Sequence, residues 1–162
     1  MKTKLEICID SCDGIDACIK GGADRIELCS SLQFGGLTPS LEVLEFASQC
    51  KIPSRAMIRP KKGNFVYSSD DLKKMLSDID MVRSFGIEGV VFGATKPNGI
   101  IDIEFLIIVC PYTCQIRQGS ASRALYLQAE TMQKHYKTSC FLILAKSGKT
   151  MQKHCKTLSF PI

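Results

Sequence analysis

The sequence predicts an α/β fold. Short stretches with apolar residues at every second position alternate with longer stretches in which apolar residues recur at helical spacing. This strand-then-helix succession repeats up to about Asp102. Four strands separated by helices imply parallel βαβ units with right-handed crossovers.

Lys4 to Asp10 alternates with period two and reads as the first strand. Asp13 to Lys20 is a short helical stretch, stopped by Gly21-Gly22, and Arg25 to Ser30 is the second strand. Gly35-Gly36 marks a loop, and both glycine pairs fit turns better than phosphate cradles. Thr38-Pro39 then offers a helix start, a capping hydroxyl with proline at the first helical position. Leu41, Leu44, Phe46, Ala47 and Cys50 form the apolar side of that helix, and Ile52-Pro53 ends it. Arg55 to Arg59 is the third strand, closed by Pro60. Ser68 or Ser69, with Asp70 and Asp71, opens the helix with the strongest pattern, Leu72, Met75, Leu76, Ile79 and Val82, which Gly86 is placed to end. Gly89 to Gly93 is a short fourth strand.

Beyond Glu104 the periodicity decays. The apolar run Ile103–Cys110 is interrupted by Glu104 and stops at Pro111. Thr131-Met132-Gln133-Lys134-His135 recurs as Thr150-Met151-Gln152-Lys153-His154, too few copies for a stacked repeat. Charge changes at the same point. Residues 1–104 carry 13 Lys and Arg against 15 Asp and Glu, whereas residues 105–162 carry 8 against the single Glu130. The expected organisation is therefore a folded unit over 1–104 and a basic, irregular, poorly ordered tail over 105–162. Aromatic residues are sparse in the tail and no nucleic-acid motif frames them, so it reads as a solvated segment and no nucleic-acid partner is expected.

With 162 residues, 45% of them hydrophobic and 23% charged, the chain is one globular domain in size and character. No run reaches the roughly 18 apolar residues of a membrane span, and Met1 to Glu6 enters a strand pattern with no secretory signal. The cytoplasm is the default compartment, with the nucleus also open. Nine cysteines in a reducing compartment are thiols or metal ligands before they are disulfides.

Several blocks together resemble one family. Leu5-Glu6-Ile7-Cys8-Ile9-Asp10-Ser11, Gly21 to Ser30, Gly35-Gly36-Leu37-Thr38-Pro39-Ser40, Met57-Ile58-Arg59-Pro60 with Gly63 and Tyr67-Ser68, Gly89 to Ala94 and Gly99-Ile100-Ile101-Asp102 look like the signature of the CutC copper-homeostasis family. Their order and spacing are what make the match specific. The resemblance implies a partial (β/α) TIM-type barrel, strands one to four of eight, and a connection to copper handling. It covers about residues 1–104; 105–162 has no counterpart in the family, which suggests a truncated or alternative isoform.

In a parallel barrel alternate residues of each strand point inward. Glu6, Cys8 and Asp10 share one face, as do Glu27 and Cys29, and Met57 and Arg59, so a Glu-x-Cys pattern stands on two adjacent strands. Neighbouring strands lie about 4.8 Å apart, which lets two cysteines at similar height share an ion, unless stagger offsets them by a residue or two. Two soft thiolates suit Cu(I) better than Zn(II). The resemblance places the family's proposed Cu(I) site on Cys8 and Cys29. The same two thiols could instead fill the interior or form a redox disulfide. Glu6, Glu27 and Arg59 near the C-terminal mouth could be an interior ion-pair network, or a pocket in which Arg59 clamps a small anion. Cys110-x3-Cys114 lacks the two-residue gap of a redox motif, and His135 with Cys140 and His154 with Cys155 are weak metal-binding candidates.

The expected function is copper homeostasis by Cu(I) binding rather than catalysis. One rival is a β/α-barrel enzyme using Glu27 and Arg59 at the mouth. Another is a truncated, non-functional or regulatory form. Expected partners are a copper ion and further copies of the chain or full-length subunits, with no membrane contact.

Overall fold

The computed structural model describes residues 4–113. Strands β1 (Glu6–Ile9), β2 (Arg25–Leu28), β3 (Ser54–Met57) and β4 (Gly89–Val91) form one sheet in the order β1-β2-β3-β4. Every pairing is parallel, with Cys8 opposite Glu27, Glu27 opposite Arg55, and Arg55 opposite Gly89. Helices α1 (Cys12–Lys20), α2 (Leu41–Gln49), α3 (Ser69–Ser84) and α4 (Ile103–Thr113) each follow a strand. Consecutive strand order with a helix after each strand is barrel topology, and this sheet does not close.

Alternation along the strands sorts the residues onto two faces. Ile9, Ile26, Leu28, Ala56 and Val90 pack with Ile15, Leu44, Met75, Ile79 and Val82 of the helices into one core. Side chains such as Leu44, Ile79 and Val82 are fully buried there, each contributing about 1.5–3 kcal/mol. The opposite face carries the polar set that begins with Glu6, Cys8 and Glu27.

The helices start where their caps allow. Ser11 accepts from the Gly14 amide at 3.1 Å and starts α1 one residue earlier than the apolar pattern implied. Ser68 and Asp71 form a reciprocal capping box at the head of α3. Gly86, at φ 71°, donates to the Arg83 carbonyl at 2.9 Å just past the end of α3, as its position in the sequence suggested.

Two expectations are corrected. Thr38 does not cap α2; Ser40 does, accepting from the Val43 amide at 3.4 Å. The Thr38 hydroxyl is engaged elsewhere: it accepts from the Arg59 amide at 3.0 Å and donates to Asp78 Oδ2 at 3.2 Å. Asp78, almost wholly buried, also pairs with Lys74 Nζ at 2.5 Å, so α3 is tied to the end of β3 through Thr38. Nor does regular structure stop near residue 104. Asp102 Oδ1 accepts from the Phe105 amide at 3.1 Å and opens α4, which continues through Pro111 to Thr113. The boundary expected after residue 104 falls inside this helix. Val109 is fully buried, Tyr67 and Phe105 pack with ring centroids 5.4 Å apart, and Ile103, Ile107, Ile108 and Tyr112 remain exposed. The 131–135 and 150–154 echo and the cysteine and histidine candidates from Cys114 onward lie outside the described residues.

Candidate functional site

The polar face holds two groups of side chains at different heights. The lower group is an ion network between β1, β2 and β3. The Arg25 guanidinium pairs with Glu6 Oε2, and Arg55 Nη1 lies 3.7 Å from Glu6 Oε1. That second contact is an ion pair too long for a hydrogen bond, and both atoms are buried without a hydrogen-bond partner. Glu27, 7% exposed, sits in this network. Burial, then the neighbouring Glu6 charge, pushes its pKa above the ordinary carboxylate range, while a Cys8 hydrogen bond and the Arg55 and Arg25 charges pull it back. Burial, followed by the like charge of Arg25, lowers the pKa of Arg55.

The two cysteines meet this network at Glu27. In the register Cys8 lies opposite Glu27, so Cys29 stands two residues higher than Cys8. The stagger the sequence left open is thus a full pleat repeat. Glu27 nevertheless reaches both thiols, hydrogen-bonded to Cys8 and with its Oε1 4.0 Å from Cys29 Sγ. Cys8 is exposed and Cys29 is buried. Gly36, at φ 83°, closes over Cys29: a Cβ there would lie 3.2 Å from Cys29 Sγ and 3.8 Å from the Met57 methyl. Cys29 and Met57 therefore border the same glycine. Among the described residues there is no disulfide, and no group of three or more His, Cys, Asp or Glu is arranged to hold a metal ion.

Arg59 belongs to the upper group. Its Nη1 donates to the Phe34 and Gly36 carbonyls, each at 3.0 Å, and its Nη2 donates to the Gly63 carbonyl at 2.7 Å. The guanidinium carbon sits 4.5 Å from the centre of the Phe65 ring. Arg59 thereby joins the loop after β2 to the loop after β3. It forms no ion pair among the described residues, and beside it opens a cleft of about 500 Å3. Glu6, Glu27 and Arg59 are therefore not one network; Arg25 and Arg55 pair with Glu6, and their charges also act on Glu27. Arg25 escapes the sequence reading, although its parity with Glu27 and Cys29 marks it as inward.

A parallel sheet in consecutive order, with interleaved helices, a polar inner face and a cleft at the C-terminal strand ends, defines a partial β/α barrel. The model of the CutC family matches residues 3–113, and the chain belongs to that family. A CutC family protein of Aliivibrio fischeri is 50% identical over 104 residues, covering 64% of this chain and 42% of the relative. One of Sinorhizobium medicae is 49% identical over 102 residues, with 63% and 42% covered. A crystal structure of a candidate copper homeostasis protein CutC from Streptococcus agalactiae superposes with a TM-score of 0.63 at 33% identity, covering 68% of this chain and 55% of that one. The chain thus spans less than half the length of these two curated relatives. Among the described residues no helix is long and apolar enough to cross a membrane.

Proposed function

We propose that this chain acts in copper homeostasis by binding Cu(I) through Cys8 and Cys29. The observation that carries the reading is the shared carboxylate. Glu27 is in reach of both thiols, so two sulfur atoms from adjacent strands approach one point despite the two-residue offset. Thiolates and thioethers are the protein ligands that select Cu(I), and the methyl end of the Met57 thioether borders the same glycine as Cys29. The exposed Cys8 gives an ion access from solvent, and the buried Cys29 provides the enclosed end. Metal binding to thiols releases protons, and Glu27 is placed to hold one as the thiolates form. The names of the CutC relatives point the same way.

The test is a Cu(I) titration of the reduced full chain against a competing chelator, with Cys8→Ser, Cys29→Ser and the double variant beside wild type. Each single variant should weaken binding, and the double variant should lose the tight equivalent. Equal retention in wild type and the double variant would refute the assignment, because the seven other cysteines would then account for the binding.

A further inference from the structure

We infer that the cleft beside Arg59 binds a small organic anion, a carboxylate or phosphate group on an apolar body, with Arg59 and Lys96 as its cationic contacts. The inference does not rest on the copper reading. The cleft, about 500 Å3, is of metabolite size and opens where the loops after β3 and β4 meet the loop after β2. These loops follow the C-terminal ends of the strands, the end at which β/α barrels build their sites.

Arg59 supplies the main argument. It is 5% exposed, and its three hydrogen bonds all go to main-chain carbonyls. Carbonyl dipoles orient a guanidinium and leave its charge in place. Among the described residues no carboxylate lies within ion-pair distance of it, and its Nε has no hydrogen-bond partner. A buried cation without a counterion is costly, and an anion in the adjoining cleft would supply that counterion.

The surroundings agree in sign. Among the described residues no acidic side chain lines the cleft. Lys96 lines it, and the nearest partner of Lys96 is the Glu104 carboxylate, 3.6 Å away and 85% exposed. Such a pair is screened by water and leaves the ammonium available to a ligand. Lys62 Nζ lies 3.6 Å from the centre of the ring of Phe34, a lining residue, and is a further positive charge nearby. Phe34, Phe65, Val66 and Pro97 give the apolar wall for the body of the ligand.

The experiment is an amide chemical-shift titration of the labelled full chain with phenyl phosphate, benzoate and the neutral benzyl alcohol. At least one of the two anions should shift the amides of residues 63–66, 95, 96, 98 and 99, their relative affinities identifying the oxyanion, while benzyl alcohol should not. Lys96→Gln, a partly exposed position, should weaken anion binding about threefold, and Lys20→Gln on α1 should leave it unchanged. Arg59→Lys should abolish binding if its spectrum remains that of a folded chain; if it unfolds, Lys96→Gln decides. Benzyl alcohol binding as tightly as the anions, no shift with either anion up to about 10 mM, or unchanged affinity in Lys96→Gln would each overturn the inference.

Discussion

Replacing Arg59 by methionine keeps the apolar stem against Phe65 and removes three charge-assisted hydrogen bonds at once. Hydrogen bonds involving a charged group contribute about 1.5–3 kcal/mol each. Two effects offset the gross loss. Carbonyls of surface loops can turn to water, and the desolvation cost of the guanidinium, several kcal/mol in a buried setting, disappears with it. A net destabilisation of about 2–4 kcal/mol follows. Arg55→Met gives the contrast. Arg55 is nearly as buried, yet its Nη1 reaches Glu6 only at 3.7 Å, and its surroundings oppose its charge. Glu6 retains Arg25 when Arg55 is removed, so the expected cost is no more than about 1 kcal/mol. Urea unfolding reads the difference. With a slope of about 2 kcal/mol per molar, the middle of the usual range, the midpoint should fall by roughly 1–2 M for Arg59→Met and by roughly 0.5 M or less for Arg55→Met. Equal shifts, or a larger one for Arg55→Met, would refute the view that Arg59 is the clamp between the two loops.

Glu27 should leave a signature in the pH dependence of stability. Its folded pKa lies above 4.5, so its contribution is complete below that value and is lost as pH rises through the folded pKa. Glu27→Gln, permanently neutral, should therefore gain on wild type between about pH 4 and pH 8; thermal melts that show the gap shrinking would contradict this. Gly36→Ala and Gly22→Ala share the strain of a positive φ, about 1–2 kcal/mol, but only Gly36→Ala meets a neighbour, Cys29 Sγ at 3.2 Å. Gly36→Ala should cost more, and equal losses in denaturant melts would remove the argument that Gly36 is a close-packed cover. The chain is also expected to self-associate: among the described residues β1 and β4 each have one unpaired edge, and Ile103, Ile107, Ile108 and Tyr112 are exposed along α4. Light scattering after size exclusion should find a dimer or larger species that Ile107→Lys weakens, and a compact monomer at micromolar concentration would count against it.

The strands and the first three helices were legible because each signal is local. Period-two alternation needs only four or five residues, and Ser68 with Asp71 announces α3 by cap chemistry alone. Helix α4 was not legible, because Ile103, Phe105, Leu106, Ile107, Ile108 and Val109 place apolar side chains all round the helix and erase the period on which the reading depends. The cap of α2 was misassigned for a different reason. Thr38 and Ser40 are both acceptable capping residues, and the choice falls to tertiary partners, Arg59 and Asp78, distant in sequence. At the site, the β1–β2 register sets Cys8 opposite Glu27, so the shared face of Glu6, Cys8, Glu27 and Cys29 follows from strand parity. The register between β1 and β2 was not accessible from parity, nor was the partner of Arg59, since main-chain carbonyls carry no mark in a sequence.

The two groups on the polar face are distinct in chemistry and joined by one structural element. Gly35 and Gly36 both have positive φ, at 81° and 83°, which accounts for the glycine pair as a turn. Each also faces a different side chain: a Cβ on Gly35 would lie 3.3 Å from Arg59 Nη1, and one on Gly36 would lie 3.2 Å from Cys29 Sγ. The turn therefore covers the buried thiol with one residue and the cleft arginine with the next. Arg59 holds the turn in place by bonding the carbonyls on either side of Gly35, those of Phe34 and Gly36. Anything that draws the guanidinium toward the cleft acts on the cover of Cys29 through those two bonds. The Glu6–Arg25–Arg55 network meets the thiols at Glu27, which lies beside both of them. The proposed copper pair thus borders a carboxylate that responds to protons from below and a glycine turn held by an arginine from above.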